Sequence, residues 1–397
     1  MDLRKEIKLS DLVPKRAPRA PKADKKPKKK SSSTRGRTSG TAEIVGLKIG
    51  ATGVSAAQIV NNGGKKVVRF AHGPLPHGVV DGGEVRDPVA LGEALSEFFG
   101  KNSLPRRGIR LGLANSRIGV RVIEVAGIED ERQLENAIGF RAHEMLSVPV
   151  EEAVIDYHVL SVDTDEDGTT TRKILLVVAY RDSVDRYLAA MDAAKLSLSG
   201  IDLEAFALLR AVTDPGATVP GDEATEEAAI IVVNIGHERT TLAISDNGVC
   251  AFARVLEWGG AQLGTAIGRA LKIAPSEAEA LKPALSLEEG KEGIIGLPPS
   301  KAAEAVEAVR HELQNLVREL LSSLRFHQSQ PGSLPLAEIQ LTGGGSGIPG
   351  LAAELERELG IPVRLADPLA RVELAEGVEL PDHPGAFAVA LGLGIED

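Results

Sequence analysis

An internal duplication restricts the fold more than any other feature of this chain. Near Glu43 the sequence runs strand, glycine turn, strand, turn, strand, and near Ala228 it runs through the same order again. In the first block, alternating apolar residues predict strands over 43–50, 54–60 and 66–71, with Asn61-Asn62-Gly63-Gly64 as a hairpin turn. In the second, the same pattern predicts strands over 229–234, 240–245 and 249–255. Helices follow each block, over 88–99 after the first, and over 260–272, 275–281 and 300–328 after the second. Two α/β units of this kind need two sheets and two cores, and 397 residues suffice to build them.

The stretch from about 115 to 182 has a different grain. A strand over 120–125, a helix over 130–145 with Leu134, Ile138 and Ala142 at four-residue spacing, and strands over 153–161 and 171–179 read as a small α+β module inserted in the first unit. The acidic turn over 163–168 lacks the later bidentate Glu of a calcium loop, and a solvated hairpin tip is the expectation. Residues 214–227, rich in Pro, Gly and acidic side chains, read as a linker. The boundaries that follow are a basic tail over 1–40, a first lobe over 41–227, a second over 228–380, and a C-terminal helix over 381–397 returning to the first lobe.

Charge separates the tail from the body. Residues 1–40 carry 14 Lys+Arg and 4 Asp+Glu, leaving 32 basic and 52 acidic residues for the rest. With few large apolar side chains the tail cannot offset its ordering entropy, so a solvated, disordered arm is expected. Its charge also suits an anionic lipid surface. Leu3, Ile7, Leu9 and Leu12 offer a brief pattern for a docking helix at its start. Nucleic acid is not an expected partner: the tail has no aromatic to stack on a base, and the acidic body repels phosphate. No run of about 18 apolar residues occurs to span a bilayer, and no secretory signal is seen. The single cysteine, Cys250, sits in an apolar strand as a structural thiol, consistent with a cytosolic setting. The histidines are scattered without metal-ligand spacing.

Three glycine turns end apolar strands: Gly46 to Thr52, Asn234 to Thr240, and Thr342 to Ser346. Glycine lets backbone N–H groups approach an anion, and Thr or Ser adds a hydroxyl. Three such turns on duplicated blocks predict two lobes closing on a phosphate chain, with Gly343-Gly344-Gly345 against a nucleoside. There is no Walker A sequence and no dinucleotide-binding glycine fingerprint.

These turns resemble the phosphate and adenosine motifs of the actin, Hsp70 and sugar-kinase superfamily. Within it the chain is similar to the PilM family of type IV pilus assembly proteins. Pro74 to Val85, Ser147 to Tyr157, Glu277 to Lys282 and Val389 to Leu393 carry that likeness, which covers nearly everything after Gly40. The resemblance implies a duplicated, actin-like (ribonuclease H-like) α/β fold of two lobes with an inserted subdomain and ATP in the cleft. It further implies a cytoplasmic scaffold, peripheral at the membrane, that binds the N-terminal peptide of a PilN-like membrane protein within about 111–183 and its neighbours. Pilus motor ATPases would be indirect partners, and self-association stays open. By resemblance, Gly50, Ala51 and Thr52 face the phosphates from one lobe and Gly236, His237 and Thr240 from the other. Glu279 and Lys282 approach ribose and base, and Gly343, Gly344, Gly345 and Ser346 flank the adenosine. Two positions depart from the superfamily: Lys48 and Asn234 stand where carboxylates normally hold hydrated Mg²⁺. Lys is a donor-only cation, so hydrolysis is expected to be lost or very slow and Mg²⁺ is not an expected ligand, with Lys48 against the phosphates or in a salt bridge closing an empty cleft. An active ATPase, an FtsA-like membrane-tethered filament protein, or a sugar or acetate kinase are the alternatives. The kinase needs the carboxylates this chain lacks at those positions.

Overall fold

The computed structural model describes residues 42–396, apart from 129, 147–148, 166 and 214–227. The basic tail, the short docking helix and the 214–227 linker lie outside the described residues.

The first sheet has six strands, in the order Leu198–Leu203, Ile109–Leu113, Ala42–Ile49, Gly53–Asn61, Lys65–Pro74 and Glu373–Leu374. Its central meander is antiparallel, with Lys48 opposite Ser55 and Asn61 opposite Lys65. Ile109–Leu113 and Leu198–Leu203 add in parallel. Gly63, at φ 71°, takes the left-handed conformation the Asn-Asn-Gly-Gly turn needs. Helix Pro88–Lys101 starts where the Asp87 carboxylate accepts the N–H groups of Val89 and Ala90, both at 3.0 Å, with Pro88 in its first turn. It buries Leu91, Leu95, Phe98 and Phe99.

The second sheet has eight strands, in the order Val363–Leu365, Leu336–Thr342, Ala229–Ile235, Thr240–Asp246, Val249–Leu256, Ile118–Ala126, Thr170–Tyr180 and Ala153–Thr164. Its first five repeat the pattern of the other lobe. The last three belong to the inserted module. That module therefore extends the sheet of the second lobe although it is inserted in the first. The bridge is narrow: Arg121 opposite Phe252 is the pair in register. Behind this sheet the helix Pro299–Gln328 buries Val306, Val309, Leu313, Leu316, Leu320 and Leu324, one continuous apolar stripe. The insert has a core of its own, Leu134 and Ile138 on helix Glu131–Leu146 against Ile174, Leu176 and Val178.

Helix Ala388–Gly394 is made of small and apolar residues and is buried on all sides. Its glycines permit this. A Cβ on Gly392 would lie 1.7 Å from the Ala207 carbonyl of helix Glu204–Val212, and one on Gly46 would lie 2.0 Å from the Ala390 carbonyl. The buried Arg110 then donates Nη1 to the carbonyls of Leu393 and Ile395, each at 3.0 Å, satisfying the helix's last turn.

The architecture is the duplicated two-lobe α/β fold with an inserted α+β subdomain. Differences from the sequence expectations are local. Helix Leu351–Leu359 begins only where Pro349 and Gly350, the latter at φ 83°, have ended, because neither continues a helix backward. The two-residue hairpin arms Val80–Asp81 and Glu84–Val85 are too short to show a period in sequence.

Candidate functional site

The ends of the two sheets' strands face one another across a cavity of about 540 Å³. The first lobe supplies Lys48 and the turn Gly50-Ala51-Thr52-Gly53, closed by a 2.8 Å hydrogen bond from Gly50 N–H to the Gly53 carbonyl. The second lobe supplies Asn234 and the turn from Gly236 to Arg239, closed the same way by Gly236 N–H to the Arg239 carbonyl at 2.8 Å. Helix Gly260–Leu271 is tied to this turn, since Gly260 N–H donates to the Gly236 carbonyl at 2.9 Å and Ala261 N–H to that of His237 at 2.7 Å. Gly344 and Gly345 form a third wall, where a Cβ on Gly345 would lie 2.4 Å from Ile235 Cγ2.

Glu279 and Lys282, three residues apart, pair at 2.7 Å, and Lys282 Nζ also donates to the Gly260 carbonyl at 2.9 Å. Glu279 packs on Gly264, where a Cβ would sit 2.2 Å from Oε1. His237 is partly buried, and that burial, with the Lys282 charge nearby, lowers its pKa, so the imidazole is neutral at pH 7. Burial raises the pKa of the Glu204 carboxyl, which lines the same cavity, while the Lys48 charge pulls it back down. Lys48 forms no ion pair or hydrogen bond among the described residues, and its charge is felt by Glu204.

Eleven of the fourteen residues singled out from sequence line the cavity: Lys48, Gly50, Ala51, Thr52, Asn234, Gly236, His237, Glu279, Lys282, Gly344 and Gly345. Three do not. The Thr240 side chain is fully buried and its hydroxyl donates to the Trp258 carbonyl at 2.8 Å. Gly343 turns its backbone at φ 96° against Ile235, and the Ser346 hydroxyl folds back onto the Gly343 carbonyl at 2.7 Å. Lining residues that sequence reasoning passed over include Ser55, His72, Gly83, Glu204, Glu238, Arg239 and His383. Glu238 and Arg239 lie within the second glycine turn, so the signal for them was there.

Those two residues meet the first lobe. Gly82 N–H donates to Glu238 Oε2 at 3.0 Å, and a Cβ on Gly82 would lie 2.3 Å from Arg239 Nη2. Gly82 and Gly83 have φ of 59° and 71°, the two left-handed residues of a tight hairpin turn. Gly83 is pinned by the buried Tyr187, whose phenol donates to its carbonyl at 3.1 Å.

The cleft thus offers backbone amides at two turns and the cations Lys48, Arg239 and Lys282, an arrangement suited to a phosphate chain. It suits a protein-held Mg²⁺ poorly. Of its carboxylates, Glu279 is paired to Lys282, Glu238 accepts from Gly82, and Glu204 is buried with its charged form disfavoured by desolvation. Among the described residues no group of three His, Cys, Asp or Glu is placed to hold a metal ion, and no helix is long and apolar enough to cross a membrane. Cys250 is buried outside the cavity, its thiol pushed up to about 12 by desolvation.

Comparison with known proteins adds a family and two kinds of relative. A family model described as type IV pilus assembly protein PilM matches residues 46–397. A solved structure, the PilM-PilN type IV pilus biogenesis complex, is 25% identical in sequence with a TM-score of 0.72, covering 89% of this chain and 97% of that one. The cell division protein FtsA of Escherichia coli K12 is 24% identical over 387 residues, 88% of this chain and 89% of its own. FtsA of Bacillus subtilis 168 is 24% identical over 295 residues, 66% and 64% of the two chains.

Proposed function

This chain belongs to the PilM family of type IV pilus assembly proteins, and from that premise we propose that it is a scaffold with a nucleotide cleft that binds ATP without turning it over efficiently. Its product is an assembly: the chain sits at the cytoplasmic face of the membrane and holds the N-terminal peptide of a PilN-like membrane protein. The partner is inferred from the solved PilM-PilN complex, which covers nearly the whole of the described chain at a TM-score of 0.72.

One observation carries the reading of the cleft. Lys48 stands in the cavity wall between two glycine turns, with no ion pair of its own among the described residues. An ammonium there supplies the positive charge that a metal would otherwise bring to a phosphate chain. Asn234, 3% exposed beside the second turn, can hydrogen-bond but cannot carry the negative charge a magnesium shell needs. ATP would supply the phosphates, and the chain's residues would orient it without providing a strong general base, since His237 makes no hydrogen bond to an acid among the described residues and its burial lowers its pKa.

Calorimetric titration of the chain with ATP, once with Mg²⁺ and once with EDTA, tests this. Binding that survives EDTA, with no phosphate release, is the expected result. Binding that requires Mg²⁺ and leads to turnover would return the chain to the active ATPases. The peptide half is tested separately by titrating a synthetic N-terminal peptide of the PilN-like partner, where absence of binding rejects the scaffold reading. The likeness to FtsA favours a second reading, a filament of copies of this chain, which sedimentation with and without ATP would reveal.

A further inference from the structure

Arg239 has hydrogen-bonding capacity the protein leaves unused. Its side chain is 17% exposed, and its Nε and Nη1 are buried without a hydrogen-bond partner among the described residues. Nη2 abuts the tip of the Gly82–Gly83 hairpin and lies 4.0 Å from Glu257 Oε1, a loose ion pair. A desolvated guanidinium with idle donors is costly unless something accepts from them. Its planar array of N–H groups is the side-chain chemistry that best matches phosphate oxygens. The residue lines the cleft in the same turn as Gly236 and His237. Lys282, by contrast, is already committed to Glu279 and the Gly260 carbonyl. The apolar lining, Leu285, Ile348 and Pro349, comes from other segments and suits a base.

We propose that Arg239 reads the terminal phosphate of a nucleoside triphosphate and, while holding it, clamps the Gly82–Gly83 hairpin of the first lobe onto the phosphate turn of the second, a proposal that rests on the nucleotide reading of the cleft. The hairpin tip is already held to that turn by one hydrogen bond, from Gly82 N–H to Glu238. A phosphate on Nε or Nη1 fixes the guanidinium, and its other edge then supports the hairpin. A diphosphate that ends short of Arg239 leaves the hairpin to Glu238 alone. The absence of a side chain at Gly82 is what lets the guanidinium come so close: a Cβ would collide with it.

The test compares ATP and ADP on the full 397-residue chain and on Arg239→Ala and Arg239→Lys. Trp258, the only tryptophan, lies one residue from Glu257 and reports binding by fluorescence. Hydrogen exchange over 79–86 reports the hairpin. Expected are a loss of about tenfold or more in ATP affinity for Arg239→Ala, with ADP affinity changed less than about threefold, and an intermediate ATP loss for Arg239→Lys. ATP should slow hairpin exchange in the parent chain and leave it unchanged in Arg239→Ala. Equal losses for ATP and ADP, no loss, or hairpin exchange indifferent to ATP in the parent overturn the role of Arg239 while the nucleotide cleft stands. If the parent chain binds neither nucleotide, the cleft reading falls and this role falls with it. Arg239→Lys, which keeps charge and bulk, guards against a merely misfolded alanine variant.

Discussion

Gly82 and Glu238 are 156 residues apart in the chain, yet the backbone N–H of one donates to the carboxylate of the other at 3.0 Å. This bond joins the lobes beside the cavity. A charge-assisted hydrogen bond in a partly buried setting contributes on the order of 1–2 kcal/mol. Glu238→Ala should therefore speed exchange of the Gly82 amide roughly tenfold without unfolding either lobe, and Glu238→Gln, which keeps an acceptor, should do so less. Unchanged exchange at Gly82 in Glu238→Ala would show that the bond does not hold the hairpin.

Glu204 carries a carboxyl whose pKa burial raises, opposed by Lys48. A raised folded-state pKa means the folded chain holds this proton more tightly than the unfolded chain does. The stability it contributes is present below the ordinary value of 4.5 and is lost as pH rises through the raised one. Glu204→Gln removes that loss. Its melting temperature should exceed the parent's by a few degrees at pH 8, with the gap closing as the pH is lowered toward 4.5. A gap that is independent of pH would mean Glu204 does not titrate in this way.

Cys250, buried and with a thiol pushed up to about 12, should be inert to thiol reagents at pH 8 in the folded chain. In denaturant it should react at the rate of a free cysteine. Fast labelling of the native chain would indicate local opening of the strand Val249–Leu256.

Gly392→Ala should destabilise the first lobe by about 2–3 kcal/mol or more, since the added methyl meets the Ala207 carbonyl at 1.7 Å and both helices must separate. Urea denaturation measures it. A substitution tolerated within about 0.5 kcal/mol would show that the two helices pack more loosely than described.

Much of the fold was legible because its punctuation is local. Gly63 sets its turn by its backbone freedom and Asp87 its cap by its carboxylate, and the stripe on Pro299–Gln328 announces itself at helical spacing. The site was legible where backbone makes it, at Gly50, Gly236 and Gly345, since close approach requires glycine. It was illegible where side-chain direction decides. Thr240 reads as a hydroxyl beside an anion turn, yet the strand turns it inward to Trp258. Glu204 reads as an ordinary first residue of a helix until the lobes are brought together around it. The docking of the insert onto the second sheet has no periodic signature, because one ladder pair, Arg121 with Phe252, and an apolar cluster drawn from separate strands make it.

That single pair has a mechanical meaning. A sheet joined along a full strand is a rigid plate, and force on its rim is shared by many hydrogen bonds at once. Here the plate is scored along one line. A partner pulling on the outer strand Ala153–Thr164 would load three firmly laddered strands whose one ladder pair to the rest of the sheet is Arg121 with Phe252. The insert's Val120, Val154 and Val177 also share a buried apolar cluster with Ala243 and Cys250, so load arriving at this seam would pass into packed side chains rather than along a ladder of hydrogen bonds.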